Sequence, residues 1–364
     1  MRILVVSGYG YWGGFLPTDL DEGSRQIGGG ETAMIQVSRA LAQQGHEVIV
    51  FYDTARSSQY DGVDYLPSNL FIPMVCQLKH DVLVSWDNPH IFRYADQAAL
   101  RILAFQLNDT FIGPYDYTID LYMHPSLWHA ERYHGIYPEM DSRKSRTRIT
   151  NGIDPARYNP SPPPDREAHR VIYSSSPDRG LHHLLRFWPR IREGIPNAKL
   201  EVFYEIDNWL KMVANAPAPP GDVKWRAEVV EKFRKENTPE NSGVTFHGGI
   251  GQKQLAMEQM MSAVQVYPCD PVQPTEGFSM TCLEAITAGC DLVITDADAL
   301  QELWADAPGV TILPLPINDD VWVDTIVKAL QVEDKRSLRD PLQYHWSTIA
   351  QNWLKEIYSC LTDS

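Results

Sequence analysis

Two glutamates, Glu276 and Glu284, lie on either side of a short turn and carry the most informative chemistry in the chain. The turn Gly277-Phe278-Ser279 follows the first glutamate, and the residues after it have a helical pattern that ends at Gly289. Backbone N–H groups at the start of such a helix lack intrahelical partners, so they form a site for an anion such as a diphosphate. The second glutamate then lies about two turns, or ~12 Å, further along the helix axis.

Two carboxylates that flank an anion site suit a ligand with hydroxyl groups on both sides of a diphosphate. A nucleotide sugar is a ligand of this kind. The alternative is purely structural, because acidic residues also stabilise a helix when they lie near its positive end. The pattern therefore predicts a nucleotide-sugar site, and the structural helix remains the alternative.

The composition describes a globular protein with a strongly negative charge. The chain has 364 residues, of which 43% are hydrophobic and 22% are charged, as in folded domains. Its 32 Lys and Arg and 47 Asp and Glu give a net charge of −15, which argues against nucleic acid and anionic membranes as partners. The sequence has no apolar run of transmembrane length, and we expect its first residues, which are few and soon polar, to form a buried strand and not a secretory signal. Five cysteines without Cys-x-x-Cys spacing indicate reduced thiols and a cytoplasmic protein.

The order of the predicted elements indicates two α/β halves. Short apolar strands, such as residues 3–6 and 48–51, alternate with helical stretches such as residues 31–44. The pattern restarts at residues 171–173, after a proline-rich linker at 159–164. Strand–helix–strand units of this kind form parallel, doubly wound sheets.

We therefore predict an N-terminal domain over residues 1–158 and a C-terminal domain over residues 159–344. A C-terminal helix within residues 345–364 has aromatic and aliphatic residues at a spacing of three or four, and we expect it to pack back on the first domain. Residues 214–240 are rich in Ala, Pro and charged residues, so we predict a solvated insertion with one helix over 224–235.

A Gly-x-Gly-x-x-Gly motif follows the first strand, at Gly8-Tyr9-Gly10-Tyr11-Trp12-Gly13. In a dinucleotide-binding unit a helix begins at the third glycine, and an acidic residue follows about 20 residues later. Here Pro17 interrupts any such helix, and the acid that ends the second strand, Asp53, comes too late. An NAD-dependent oxidoreductase is therefore disfavoured, and we expect Gly10 to line the acceptor side instead.

Several segments, in their order along the chain, resemble the retaining family 4 glycosyltransferases, the group 1 family of the GT-B fold. They are Gly28-Gly29-Gly30-Glu31, Asn151-Gly152-Ile153-Asp154, Phe246-His247-Gly248, the spaced pair Glu276 and Glu284, residues 296–302, and the C-terminal helix with Trp346. The resemblance covers nearly the whole chain. It implies an α/β, GT-B-like fold class, with two doubly wound Rossmann-like domains facing across a cleft.

The resemblance also implies an activity, that of a hexosyltransferase. Such an enzyme moves a hexosyl group from a nucleotide-diphosphate sugar to a hydroxyl of a saccharide or other acceptor, without a metal or other cofactor. By position, Glu276 would bind hydroxyls of the donor sugar and Glu284 those of the ribose, while Gly277, Phe278 and Ser279 would hold the diphosphate.

Arg179, which precedes Gly180, matches the family's Lys-Gly position, whose cation neutralises the leaving diphosphate. An arginine can do this through two hydrogen bonds. Gly29 and Gly30 match the family's first glycine loop and are expected on the donor side. The family usually has an arginine a few residues before the lysine, and Ser174 or Ser175 holds that place here.

The family's active-site histidine is also absent from its expected place. The matching segment carries Asn108 and Asp109, which would either contact the donor sugar or form a structural turn. Asp87 and His90 follow another strand of the first half. They are either acceptor-side residues or residues that shape a loop.

Asp19-Leu20-Asp21 and Asp296-Ala297-Asp298 have a spacing that binds divalent metals in a different glycosyltransferase fold, but we predict no metal site here. The adjacent pair His182-His183 and the pair His129 and His134 lack zinc-site spacing, so surface or structural roles are expected. A sugar-nucleotide-binding protein without transfer activity, and a sugar-nucleotide epimerase or phosphorylase, remain alternative functions. The oligomeric state stays open.

Overall fold

The computed structural model describes residues 1–7, 14–22, 27–94, 98–219, 221–271, 273–332 and 340–362. The chain divides into two compact units. The first unit contains Met1–Glu22, Ile27–Asp154 and Pro341–Ser364, and the second contains Pro155–Asp340. The change from one unit to the other therefore falls between Asp154 and Pro155.

The secondary-structure elements have the following bounds. The strands are β1 (Arg2–Ser7), β2 (Glu47–Tyr52), β3 (Ser58–Tyr60), β4 (Val63–Pro67), β5 (Val82–Trp86), β6 (Leu100–Ala104), β7 (Leu121–His124), β8 (Ser145–Thr147), β9 (Glu167–Tyr173), β10 (Lys199–Val202), β11 (Val244–Phe246), β12 (Ser262–Tyr267), β13 (Asp291–Thr295) and β14 (Val310–Leu313). The helices are α1 (Asp19–Glu22), α2 (Gly29–Gln43), α3 (Phe71–Val75), α4 (Leu127–Ile136), α5 (Leu181–Gly194), α6 (Ile206–Asn215), α7 (Gly221–Glu236), α8 (Pro239–Ser242), α9 (Gln252–Met261), α10 (Met280–Thr287), α11 (Leu300–Trp304), α12 (Asp319–Leu330) and α13 (Trp346–Thr362).

The first unit is built on an eight-stranded sheet with the order β3-β4-β2-β1-β5-β6-β7-β8. Its strand pairs are parallel except for β3 with β4. Successive side chains of a strand point to opposite faces. The unit has a hydrophobic cluster on each face of the sheet. In β1, Ile3 and Val5 belong to one cluster, and Leu4 and Val6 belong to the other. Both faces of the sheet are therefore covered, as parallel sheets require.

The C-terminal helix α13 packs on one of these faces, in the same cluster as α2. The indole Nε1 of Trp353 donates a hydrogen bond to the backbone carbonyl of Ile149. A Cβ atom at Gly152 would lie 2.6 Å from the carbonyl oxygen of Tyr344 and 2.9 Å from the ring of Trp346. The Asn-Gly-Ile-Asp segment therefore needs its glycine because the returning chain packs directly against it.

The second unit is built on a six-stranded parallel sheet with the order β11-β10-β9-β12-β13-β14. Helices α5 and α12 pack together on it, with the rings of Phe187 and Trp322 stacked at 5.9 Å. The helix predicted over residues 224–235 is observed within α7, and most of residues 214–240 are exposed or half-buried, but α7 buries Arg226, Ala227 and Val230 on one face. Apolar residues and one arginine of this charge-rich helix thus contribute to the interior of the unit.

Among the described residues, none of the helices combines the length and the apolar character that crossing a bilayer requires. All five cysteines are present as free thiols.

Candidate active site

The carboxyl ends of β9 and β12 bring two loops together in the second unit. The two strands are parallel neighbours, so their ends meet at the same edge of the sheet. Gly180, just before α5, has a φ of 98°, and a Cβ atom there would lie 1.9 Å from the carbonyl oxygen of Pro268. Only glycine satisfies both conditions. The turn before α5 is therefore fixed against the loop after β12.

Arg179 and Glu276 form an ion pair at this edge, in which Nη1 of the arginine donates to Oε1 of the glutamate. The glutamate side chain is only 1% exposed, whereas the arginine side chain is 35% exposed. Burial raises the pKa of Glu276, and the positive charge of Arg179 acts in the opposite direction. The pair therefore combines a partly exposed arginine side chain with a buried carboxylate.

A neighbouring aspartate, Asp298, holds the backbone of this glutamate. Its Oδ2 accepts hydrogen bonds from the N–H groups of Thr275 at 2.8 Å and Glu276 at 3.0 Å. The N–H of Ala299 donates in turn to the carbonyl oxygen of Glu276 at 3.1 Å. These hydrogen bonds fix the position of the turn. The position of Asp298 in the sequence does not indicate this role.

Helix α10 begins at Met280, directly after the predicted Gly277-Phe278-Ser279 turn. Ser279 has a φ of 71°. The ring of Phe278 is buried edge-on against Trp304 at 5.4 Å, and the indole N–H donates to the Phe278 carbonyl at 3.2 Å. The turn is therefore anchored by a buried aromatic side chain, and the first N–H groups of α10 lack intrahelical acceptors.

Ser174 and Ser175, the two alternative candidates for a donor-side hydroxyl, lie beside the start of α10 and the end of β12. The hydroxyl oxygen of Ser174 is 2.7 Å from that of Thr281, in the first turn of α10. The hydroxyl of Ser175 donates to the phenol oxygen of Tyr267 at 3.4 Å. The structure therefore brings both predicted hydroxyls to the same edge as the ion pair.

Glu284 lies in α10 and is half-buried. Burial raises the pKa of its carboxyl group to about 7, against the opposing effects of Arg157 and Gln259. The hydroxyl of Tyr158 donates a hydrogen bond to Oε1 of Gln259 at 3.2 Å, and the two residues are 101 positions apart in the sequence. These neighbours were missed in the sequence, where no local pattern links the start of the second unit to α9 and α10.

In the first unit, Asp87 holds the loop that follows β6. It has a φ of 54°. Its Oδ1 accepts the N–H groups of Gln106 at 2.9 Å and Leu107 at 3.1 Å, and the hydroxyl of Thr110 at 3.0 Å. Burial raises the pKa of Asp87 to about 7. The structure thus places this carboxylate in contact with a loop, as the loop-shaping alternative describes.

The same loop carries Asn108 and Asp109, which differ in exposure. Asn108 is 8% exposed, and Asp109 is exposed. The carbonyl oxygen of Leu107 accepts hydrogen bonds from Nε2 of His129 at 3.1 Å and from the hydroxyl of Tyr133 at 3.2 Å. His129 is fully buried, so its role in this unit is to hold the loop that bears both candidate residues.

The remaining candidates of the first unit are His90, Gly29, Gly30 and Gly10. His90 is exposed. Gly29 is the first residue of α2, and a Cβ atom at Gly30 would lie 3.5 Å from the side chain of Gln106. The start of α2 therefore adjoins the loop that carries Asn108. Gly10 and the rest of its glycine motif lie outside the described residues.

The Asp-x-Asp segments have structural partners within the protein. Oδ2 of Asp19 accepts the N–H of Leu16 at 2.8 Å, and Asp21 pairs with Arg39 at 2.8 Å. Asp296 accepts a backbone N–H at 3.0 Å. Together with the contacts of Asp298 described above, these bonds account for the positions of the four carboxylates.

Solved structures resemble the chain over its full length, although the sequences are very different. AviGT4, a glycosyltransferase involved in avilamycin A biosynthesis, has 14% identity and a TM-score of 0.67, with 100% of this chain and 99% of that chain covered. Sucrose-phosphate synthase from Thermosynechococcus elongatus has 11% identity and a TM-score of 0.65, with 100% of both chains covered. The catalytic domain of starch synthase IV from Arabidopsis thaliana has 10% identity and a TM-score of 0.62, with 100% and 99% covered.

Neither the comparison with protein-family models nor that with curated protein sequences finds a match. The fold is therefore established by the structure, because each unit has a largely parallel sheet and the chain aligns with these structures over its full length. The predicted fold class is confirmed: the chain has the α/β GT-B fold.

Proposed function

We propose that the protein is a retaining glycosyltransferase of the group 1 family. It transfers a hexosyl group from a nucleotide-diphosphate sugar to a hydroxyl of a saccharide or other acceptor. The observation that carries the proposal is the buried carboxylate of Glu276, paired with the partly exposed Arg179 at the start of α10. The full-length likeness to glycosyltransferase structures supports it.

Arg179 supplies the positive charge that a departing diphosphate needs. As the bond between the sugar and the diphosphate breaks, negative charge grows on the phosphate oxygens. A guanidinium can contact two such oxygens at once, and the N–H groups at the start of α10 add partial positive charge. Stabilisation of this developing charge is the main contribution of the site to the rate.

The acceptor hydroxyl attacks from the face that the diphosphate leaves, so the anomeric configuration is retained. The departing phosphate takes the proton of the acceptor hydroxyl, and the enzyme supplies no nucleophile. The transfer step, in this proposal, requires neither a metal ion nor a cofactor besides the donor.

The two glutamates bind hydroxyl groups on either side of the diphosphate. Glu276 accepts hydrogen bonds from the donor sugar, and the bonds from Asp298 hold its backbone in place. Glu284 accepts hydrogen bonds from the ribose when its carboxyl group is ionised. Each charge-assisted hydrogen bond contributes about 1.5–3 kcal/mol.

The proposal also assigns roles to residues of the first unit. Asn108 or Asp109 takes the place of the family's active-site histidine, while His90 and Gly10 belong to the acceptor side. Gly29 and Gly30 belong to the donor side. The five free cysteines support a cytoplasmic location.

A thermal-shift screen with UDP-, GDP-, ADP- and TDP-sugars tests donor binding. We expect one nucleotide class to raise the melting temperature. Glu284→Ala should weaken binding of the matching nucleoside diphosphate by about 1.5–3 kcal/mol in calorimetry. Glu228→Ala, at an exposed position of α7, is the matched control and should bind as the wild type does.

Product analysis tests the reaction itself. NMR of the product should show the anomeric configuration of the donor. Tight donor binding without transfer or hydrolysis, with any acceptor, would indicate a sugar-nucleotide-binding protein instead. If none of the nucleotide sugars changes the melting temperature, the proposed function is wrong.

A further inference from the structure

His182, His183 and Asp270 form a cluster of metal-ligand type in the second unit. The two histidines belong to the first turn of α5, and the aspartate lies in the loop after β12. One ligand atom from each residue lies within 4.8 Å of the other two. The sequence shows only the adjacent histidines, and the packing of Gly180 against Pro268 brings the aspartate to them.

The separations within the cluster are near those that a shared cation requires. Oδ2 of Asp270 is hydrogen-bonded to Nε2 of His183 at 2.6 Å and lies 3.9 Å from Nε2 of His182. Ligand atoms at ~2.0–2.2 Å from a tetrahedral zinc ion lie about 3.3 Å apart. The two observed separations lie on either side of this value, so small side-chain rotations would satisfy it.

The imidazole of His182 is buried without a hydrogen-bond partner among the described residues. The residue is 2% exposed, and neither its Nδ1 nor its Nε2 has a partner. Nδ1 of His183 is also buried and has no hydrogen-bond partner among the described residues. Buried polar atoms almost always have a protein, water or ion partner.

Arg226 orients the aspartate of the cluster. Its Nη1 donates to Oδ1 of Asp270 at 2.7 Å, and its Nη2 donates to the backbone carbonyl of the same residue at 2.9 Å. Oδ2 is thereby directed to the histidines, as a second hydrogen-bond partner commonly does for a metal-bound carboxylate. The guanidinium opposes a nearby cation, and Asp222, 3.5 Å from its Nε, offsets part of that charge.

We propose that His182, His183 and Asp270 bind one transition-metal ion of the zinc class, with a fourth position for water. Two imidazole nitrogens and one carboxylate oxygen favour zinc or cobalt over magnesium. The ion would tie α5 to the loop after β12, and so stabilise the segments that carry Arg179 and lead to Glu276. It acts as a structural clamp outside the transfer step, so the site does not depend on the proposed function.

Cobalt provides a direct spectroscopic test on the full-length protein. After treatment with EDTA, titration with Co²⁺ should give the visible absorption of a tetrahedral site, which saturates at a single equivalent and disappears when Zn²⁺ is added. Zn²⁺ should also raise the melting temperature. His183→Ala and Asp270→Asn should weaken Co²⁺ binding by roughly 100-fold or more, since outer-shell changes alone cost 10–100-fold.

His169→Ala is the matched control, because this histidine lies on β9 outside the cluster, and it should bind Co²⁺ as the wild type does. The proposal is overturned if the wild type binds no stoichiometric Co²⁺ or Zn²⁺. It is overturned equally if folded His182→Gln and His183→Ala proteins keep wild-type affinity. The wild-type titration needs no variant, so a variant that fails to fold leaves the test intact.

Discussion

In each unit, an aspartate with a left-handed backbone conformation follows a strand and supports the loop after the neighbouring strand. Asp87 follows β5 with a φ of 54°, and Asp298 follows β13 with a φ of 51°. The first accepts amide hydrogen bonds from the loop after β6, and the second accepts them from the loop after β12. In both sheets the strands concerned are parallel neighbours, so their carboxyl ends place the two loops side by side.

The two supported loops differ in the chemistry that they carry. The loop at Asp298 carries Glu276, whose buried carboxylate pairs with the guanidinium of Arg179. The loop at Asp87 carries a buried amide, Asn108, and an exposed carboxylate, Asp109. The same backbone arrangement therefore positions a charged pair in one unit and polar side chains in the other. Variants of Asp87 and Asp298 test how the loops are stabilised, whereas variants of Arg179 test the transfer reaction.

The largest expected effect comes from the charged pair itself. Arg179→Ala should lower single-turnover rates at saturating donor by about 10²–10³, as loss of a group that stabilises transition-state charge does. Arg190→Ala is the control, since this exposed arginine of α5 pairs with Asp320, and its rate should stay at the wild-type value. Wild-type rates in a folded Arg179→Ala protein would contradict the leaving-group role.

Loss of the support in the first unit should come next. Asp87→Ala removes three hydrogen bonds to one carboxylate oxygen and should lower the free energy of unfolding by about 3 kcal/mol, measured by urea denaturation. Asp87→Asn keeps an acceptor at that position and should lose much less. Equal losses in the two variants would show that the three hydrogen bonds do not stabilise the loop.

The corresponding change in the second unit should be smaller, because Asp298 accepts two hydrogen bonds with Oδ2. Asp298→Ala should cost about 2 kcal/mol of stability and should raise the KM for the donor, because Glu276 loses its backbone support. Asp298→Gly is the control for backbone strain, since glycine adopts a φ of 51° without a steric penalty. If Asp298→Gly behaves as the wild type, strain and not hydrogen bonding explains the loss.

The smallest effect concerns the pH dependence of donor binding. The pKa of Glu284 in the donor-free protein is about 7, so below this pH the carboxyl group is protonated and must lose its proton to accept ribose hydroxyls. Affinity for the nucleoside diphosphate should therefore rise between pH 6 and pH 8, by at most about tenfold per pH unit below 7. Calorimetry with Glu284→Gln should show a flatter profile, and an equally steep profile would assign the titration to another group.

The parts of the structure that depend on local sequence were predicted well. The helix expected over residues 31–44 is observed at Gly29–Gln43, and the helix after the Gly-Phe-Ser turn begins at Met280. Gly289 has a φ of 79°, as a glycine that ends a helix should. These features follow from periodicity and from the backbone preferences of single residues, so they are readable without knowledge of the fold.

The features that the sequence did not predict are contacts between distant segments. Most of the segment around α7 is exposed or half-buried, as its charged composition indicates, but Arg226 is buried and donates a hydrogen bond to Asp270. The support of Glu276 by Asp298 and the approach of Asp270 to His183 were also missed. Each of these contacts joins segments that become neighbours only when the parallel sheet has formed.

The alternation of strands and helices, the glycine-containing turn before α10 and the spacing of the two glutamates follow from the amino-acid sequence alone. They do so because side-chain periodicity and glycine conformation act over a few residues. Which charges meet depends on the folded arrangement of distant segments. Arg179 pairs with Glu276 because β9 and β12 are neighbours in the sheet, and the strength of such a pair depends on burial and distance, which a linear sequence does not contain.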